Sequence, residues 1–264
     1  MGVFMKIAIV THWYNEEDLA PFFLKLYSYV DKIFLFLDVD TGDNTRSICE
    51  NYDNVEIIDF CFPEGFDDYL KVDHVNEFVK TLANKFDWVY AIDSDEFIFP
   101  PRGYNSAKEF LAKQNSFNMV RAKMFQVYKH VTDEDLDVSR PVLTQRVHGD
   151  PDLTSHPNWT YCKPVIVRPE AGIEWNPGFH TNIEGTHIRE AKEHFWGAHW
   201  ANVDLDIAIE RQIYGRKARL SPRQIRTGAT IQHIHVTEEK IRNRFEKHKN
   251  DPDVLSRLLP EYLK

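Results

Sequence analysis

The chain has 264 residues, enough for one large domain or two small ones, and its 42% hydrophobic and 28% charged residues fit a folded globular protein. No apolar run approaches the roughly 18 to 20 residues that cross a bilayer. Three scattered cysteines (Cys49, Cys61 and Cys162) are too few for a disulfide framework or a zinc knuckle, and a net charge of -9 argues against duplex nucleic acid as the main partner.

In chain order, Lys6 to Thr11 reads as a first strand rather than a secretory leader, because Met1 to Val10 lacks a long apolar core and a cleavage site. Leu19, Phe22, Phe23, Leu26 and Val30 follow at helical spacing, and Pro21 fixes the helix start near Asp18. Lys32 to Leu37 and Val55 to Phe60 are further β-rich runs, linked by a short helix over Arg46 to Asn51. Val75, Phe78, Val79, Leu82 and Phe86 mark another amphipathic helix, and Trp88 to Ile92 the next strand. This alternation predicts an α/β fold with a Rossmann-like, mostly parallel sheet, in which ligands bind beyond the carboxyl ends of the strands.

After Pro100-Pro101-Arg102-Gly103 the rhythm changes. A short helix over Ser106 to Lys113 precedes the runs Asn118 to Tyr128, Val142 to Val147 and Lys163 to Arg168, read as a mixed or antiparallel second half. Val203 to Tyr214 and Glu238 to His248 look helical. Charge divides along the chain: residues 1–100 carry -13, residues 101–200 carry 0 and residues 201–264 carry +4. One continuous domain, 1–236, with a basic helical tail, 237–264, is expected. The acidic part suits a cation and the basic tail suits phosphate or anionic lipid.

Three polar clusters stand at predicted strand exits: Thr11 through Glu16, Asp38 through Thr45, and Asp93-Ser94-Asp95-Glu96-Phe97. In an extended segment Asp93 and Asp95 point to one side, so both reach a single hard cation, Mn2+ or Mg2+. A carboxylate in a capped turn is the plainer reading of each cluster. Acidic and hydroxyl groups at the second exit suit a nucleoside.

These clusters, in this order, resemble the nucleotide-sugar half of family-two-like glycosyltransferases of the GT-A fold, and most closely a bacterial subgroup whose metal motif reads Asp-x-Asp-Glu-Phe. The resemblance extends through Lys163 to Pro169 and Trp175 to Thr181, more loosely to His199-Trp200, and covers residues 6 to about 215. Val39 stands where many members carry a second acidic residue. The resemblance implies a metal-dependent, hexosyltransferase-like and inverting enzyme that moves a sugar from a nucleotide diphosphate to a glycan or lipid-linked acceptor in bacterial surface polysaccharide synthesis. It implies a nucleotide-sugar-binding half, 1–100, and an acceptor half, 101–236. The nucleotide sugar would be met by His12, Tyr14, Asn15, Glu16, Asp38, Asp40, Asp43, Lys71, Asp93 and Arg168, and the metal by Asp93 and Asp95.

A neutral imidazole can complete such a metal site. His148, His156, His180, His187, His194 and His199 are available, and His180, after the Pro177-Gly178 turn, is the preferred third ligand. Glu184 is the first candidate base, with Asp150 and Glu174 behind it. Glu96 is a further catalytic candidate, or else holds its loop through backbone N–H groups. Trp175, Trp196 and Trp200 are candidates for a sugar-stacking platform, although core packing suits at least one. A cytoplasmic setting, with peripheral contact at the inner membrane face, is expected. The competing readings are a metal-dependent phosphohydrolase or nucleotidyltransferase, and a non-catalytic carbohydrate-binding module.

Overall fold

The computed structural model describes residues 5–151, 161–180, 182–184, 187–228 and 231–264, with the backbone alone for 182–184 and 231–232. The first third follows the alternation of the sequence: β1 (Ile7–Trp13), α1 (Ala20–Leu26), β2 (Lys32–Asp38), α2 (Thr45–Cys49), β3 (Val55–Phe60), α3 (Asp68–Thr81) and β4 (Trp88–Ala91). Strands β1, β2 and β4 are buried almost throughout, as their continuous apolar runs require when helices cover both faces of a parallel sheet. The third helix begins seven residues before its first apolar marker, Val75, because Asp67 caps it by accepting the N–H groups of Tyr69 and Leu70.

The rest comprises β5 (Glu96–Phe99), α4 (Ala107–Ala112), β6 (Met119–Tyr128), β7 (Cys162–Val167), β8 (Glu174–Trp175), β9 (Asn182–Glu184), β10 (Phe195–Asn202), α5 (Leu205–Ile209), α6 (Pro222–Thr227), α7 (Ile231–Ile234) and α8 (Glu238–His248). The fifth helix runs on through a wider π-type segment, Glu210–Arg216. Eight strands form one mixed sheet in the order β3-β2-β1-β4-β7-β6-β10-β5, and β8 pairs with β9 separately. The first four strands are parallel to one another. The seventh is antiparallel to both of its neighbours, and the fifth is antiparallel to β10, which is parallel to β6. The carboxyl ends of β1, β2, β4, β6 and β10 therefore share one edge of the sheet with the amino ends of β5 and β7.

Val142 to Val147 departs from the expected strand. Pro141 leads into a short 3-10 turn over Val142–Thr144, and side chains, rather than a partner strand, satisfy the surrounding backbone. Gln145 bonds the backbone of Asp137 and Pro141, and the fully buried Arg146 donates to the carbonyls of Val203, Glu134 and Gln145. The basic tail joins the main core. Val254, Leu255 and Leu259 are buried in it, and Val254 N–H donates to Val147. Among the described residues, no helix is long and apolar enough to cross a membrane.

Candidate active site

A crevice of about 950 Å3 opens at the shared strand edge. Among the described residues its lining carries eight Lys and Arg against six Asp and Glu, an excess of positive charge in a chain of net charge -9.

The acidic residues at the β1 and β4 exits are neutralised in place. Lys71 is one turn into α3, where the Asp67 cap sets the start of the helix, and its Nζ lies 3.0 Å from both Asp68 and Asp93. Lys163, at the amino end of β7, bonds Glu96 and lies 3.9 Å from the second Asp93 oxygen. Arg211 is bidentate to Glu16 at 3.0 Å and donates to Asp95 Oδ2 at 2.9 Å and to Ser94 Oγ at 3.0 Å. Burial pushes the Asp93 and Asp95 carboxyls up, but Lys71 with Lys163 at the first, and Arg211 at the second, outweigh it and hold both below the usual carboxylate range. At Glu16 burial prevails over Arg211, and the carboxyl is raised.

One contact in this network lacks a proton to bridge it. Gln126 donates its amide N–H to the His199 carbonyl, so its Oε1 is the atom 2.7 Å from His199 Nδ1, and Nδ1 must carry the proton. Burial lowers the pKa of the ring to about 4, which leaves it neutral with a lone pair on Nε2. That lone pair faces Asp95 Oδ1 at 3.6 Å. A neutral imidazole nitrogen and a carboxylate oxygen facing each other are suitable donors for a divalent cation, and Gln126 is the outer partner that fixes the imidazole. The donor set therefore fits Mn2+ or Mg2+ at Asp95 and His199, with phosphate and water oxygens to complete it. The only three such donors within 4.8 Å of one another among the described residues are elsewhere, at His130, Asp133 and His148.

One wall of the crevice is built from both ends of the chain. Arg219 stacks its guanidinium 3.4 Å from the centre of the Tyr14 ring and donates to Asp38 Oδ2 at 2.5 Å. It belongs to a strap over residues 210–221 that is laced to the 65–67 loop. Phe66 N–H donates to the Arg219 carbonyl, Ser221 N–H to the Phe66 carbonyl and Ser221 Oγ to Asp67. Gly65 makes this approach possible: at φ +90°, a Cβ there would lie 2.4 Å from the Arg219 oxygen. His12 stacks on Phe36 and has its Nε2 3.1 Å from His74 Nδ1. Burial, first of all, holds it far below its usual pKa, so it is neutral.

Of the residues singled out from sequence, His12, Tyr14, Glu16, Asp38, Lys71, Asp93, Asp95 and His180 line the crevice. His180 folds back on its turn, with ring atoms 2.7 Å from where a Gly178 Cβ would stand, so His199 is the imidazole opposite Asp95. Asn15 and Asp43 tie the loops together instead: Asn15, at φ 48°, accepts from Gly42 N–H, and Asp43 accepts from the N–H groups of Glu17 and Thr45. Asp40 is exposed, 3.8 Å from Arg219. Glu96 is fully buried and accepts from Asp93 N–H and Lys163, so it has no access to a substrate and holds the loop.

Arg168 stands outside the crevice. The seventh strand runs against its neighbours, which carries Arg168 to the far edge of the sheet, stacked on Trp88 and donating to the Phe117 carbonyl. Lys163, at the other end of that strand, is the cation in the crevice. Trp175 and Trp200 are core residues, 1% and 0% exposed, and Trp196 packs beside Phe125 and His194, so none forms a platform in the crevice. Glu174 pairs with Lys80 away from the crevice, and Asp150 lines it. The Glu184 side chain and all of His156 lie outside the described residues. Sequence reasoning missed Arg211, Arg216 and Arg219. The one signal for them was the positive surplus of the last third of the chain, complementary to the acidic first third.

No protein-family model matches the sequence, and no curated protein matches it as a relative. Among solved structures, a 4-diphosphocytidyl-2C-methyl-D-erythritol synthase overlaps 62% of this chain and 75% of its own at 11% identity, with a TM-score of 0.31. A protein described as a glucose-1-phosphate thymidylyltransferase from Bacillus anthracis, in complex with a sucrose, overlaps 92% of this chain and 83% of its own at 9% identity, with the same TM-score of 0.31. Overlap this loose carries no conclusion about activity.

Proposed function

We propose that the protein is a metal-dependent glycosyltransferase that takes a sugar from a nucleoside diphosphate. The observation that carries this reading is the meeting of three strand exits in one crevice. Tyr14 and Asp38 stand there beside Asp93, and the Asp95 and His199 donors face each other across 3.6 Å. Asp38 and the Tyr14–Arg219 stack frame the nucleoside, while Lys71, Lys163 and Arg216 supply positive charge for the diphosphate. Asp95 and His199 would hold a divalent cation, which when bound offsets the charge that builds on the leaving diphosphate.

Asp150, which lines the crevice near Tyr128 and Tyr161, is the proposed base. It takes the proton of the acceptor hydroxyl. The acceptor oxygen bonds to the anomeric carbon, whose bond to the phosphate oxygen breaks with the electron pair leaving on the nucleoside diphosphate. Inversion at that carbon belongs to the same proposal.

Thermal melting in the presence of common nucleoside diphosphates with Mn2+ tests the reading. At a hundredfold excess over the dissociation constant, a ligand stabilises the native state by about 2.7 kcal/mol. For a chain of this size that is a rise of about 5 to 10 °C. The rise should disappear with a chelator and in Asp95→Asn. No rise with any base would overturn the proposal, and release of pyrophosphate from a nucleoside triphosphate would favour nucleotidyl transfer instead.

A further inference from the structure

The cations of the eighth helix divide according to what balances them. On one side Arg242 is held by Glu238 at 2.6 Å and Lys249 by Glu246 at 2.6 Å. Lys240, Arg244 and Lys247 recur at helical spacing on a second face, and all three line the crevice. None of them pairs with a carboxylate among the described residues. Lys240 donates to the His235 carbonyl, and half-buried Arg244 rests on the neutral amide oxygens of Asn202 and Gln212 at 3.0 and 3.3 Å. The Lys247 ammonium makes no hydrogen bond or ion pair with any described residue. Tyr128 and Tyr161 stand at the same end, and Asp150 is the crevice carboxylate beside them. The acidic residues of the nucleotide end have cationic partners already in place. Here three cations stand together with no ion-paired carboxylate among the described residues.

We infer that this end of the crevice recognises an anionic group, a carboxylate or phosphate, on the sugar that accepts the transfer. The word acceptor rests on the glycosyltransferase reading, whereas the anion site rests on the helix face alone. Lys247 and Arg244 would bind the anion, which places the rest of the saccharide against the two tyrosines and its hydroxyl near Asp150. A flat anionic membrane is a poorer match, because the uncompensated cations face into the crevice and the outward ones are neutralised.

Calorimetric titration of the full chain at low salt tests this with three probes. These are a glucuronate-containing oligosaccharide, the same oligosaccharide with its carboxylates reduced to alcohols, and a hexose phosphate. At least one charged probe should bind roughly tenfold more tightly than the neutral one, the factor expected of a charge-assisted contact. Which charged probe binds identifies carboxylate or phosphate as the source. Lys247→Gln, at an exposed position with no partner to lose, should reduce that preference, and adding Arg244→Gln should erase it.

Equal affinity for charged and neutral probes would overturn the inference. So would a preference that survives both substitutions, or binding only to vesicles of anionic phospholipid that depends on Arg242 and Lys249. Nucleoside diphosphate melting shifts, measured on the same samples, separate the two claims. Anion binding without a nucleotide shift leaves the inference standing and removes the glycosyltransferase reading, and the converse result does the opposite.

Discussion

The two ends of the crevice are built on opposite electrostatic principles. At the end formed by the exits of β1, β2 and β4 each buried carboxylate meets a fixed cation: Glu16 and Asp95 share Arg211, Asp93 has Lys71, and Asp38 has Arg219. At the other end, Arg244 and Lys247 have no counter-charge among the described residues. Buried ion pairs stabilise a protein only when their geometry repays the desolvation of both partners. The first arrangement is therefore a rigid frame whose loss endangers the fold. The second has no ion pair to lose among the described residues, and its removal should cost the fold less.

The largest expected effect comes from opening the frame. Arg211→Ala leaves Glu16 and Asp95 buried and uncompensated, a loss that typically costs about 3 to 5 kcal/mol. The melting temperature should fall by roughly 6 to 20 °C. Adding Glu16→Gln to Arg211→Ala should restore part of that loss, because one of the stranded charges is gone. A melting temperature unchanged in Arg211→Ala would show that the network is not the rigid element of the crevice.

Metal affinity divides the histidines next. His199→Ala should weaken Mn2+ binding by roughly tenfold or more, as removal of a ligand or of the residue orienting it commonly does. Gln126→Leu, which frees the Nδ1 proton, should act in the same direction. His180→Ala, whose ring rests on the Gly178 turn, should change affinity far less. Competition with a fluorescent chelator reads all three, and a larger loss in His180→Ala than in His199→Ala would reverse the assignment.

How much of this could be read from sequence depends on the distance over which each contact acts. The exits of β1, β2 and β4 were predictable because parallel strands separated by amphipathic helices place their carboxyl ends together whatever the details of packing. Asp38, Asp93 and Asp95 thus reached one crevice on topology alone. The partners of those carboxylates were not predictable: Arg211 is 195 residues from Glu16, and Arg219 is 181 from Asp38. No periodicity encodes such a pairing. The position of Arg168, away from the crevice, has a different reason. The β-rich run 163–168 is plain in the sequence, but its direction follows from pairing with both β4 and β6, and direction decides which end of the strand reaches the crevice.

The two ends of β7 therefore form a controlled pair. Lys163→Gln removes a cation from the crevice and leaves Glu96 buried without its partner, so it should lower nucleoside diphosphate affinity by roughly tenfold and reduce the melting temperature. Arg168→Gln, at the far edge, loses its stack on Trp88 and one bond to the Phe117 carbonyl, and should leave that affinity unchanged. Equal effects on binding would mean that β7 contributes through stability rather than through contact.

The smallest expected effect lies on the outer face of the eighth helix. Arg242 is exposed and Lys249 partly so, and they pair within the helix region with Glu238 and Glu246; surface pairs of this kind contribute about 0 to 1 kcal/mol. The double substitution Arg242→Gln and Lys249→Gln removes the same formal charge as Arg244→Gln with Lys247→Gln, from the same helix. If net charge attracts an anionic ligand from a distance, both doubles should weaken binding alike, and added salt should abolish the difference from wild type. If the inward face makes the contact, the outer double should keep wild-type preference for a charged saccharide while the inner double loses it, at low and moderate salt alike. Melting temperature should barely change in the outer double, so any loss of binding there would be electrostatic steering and not damage to the fold.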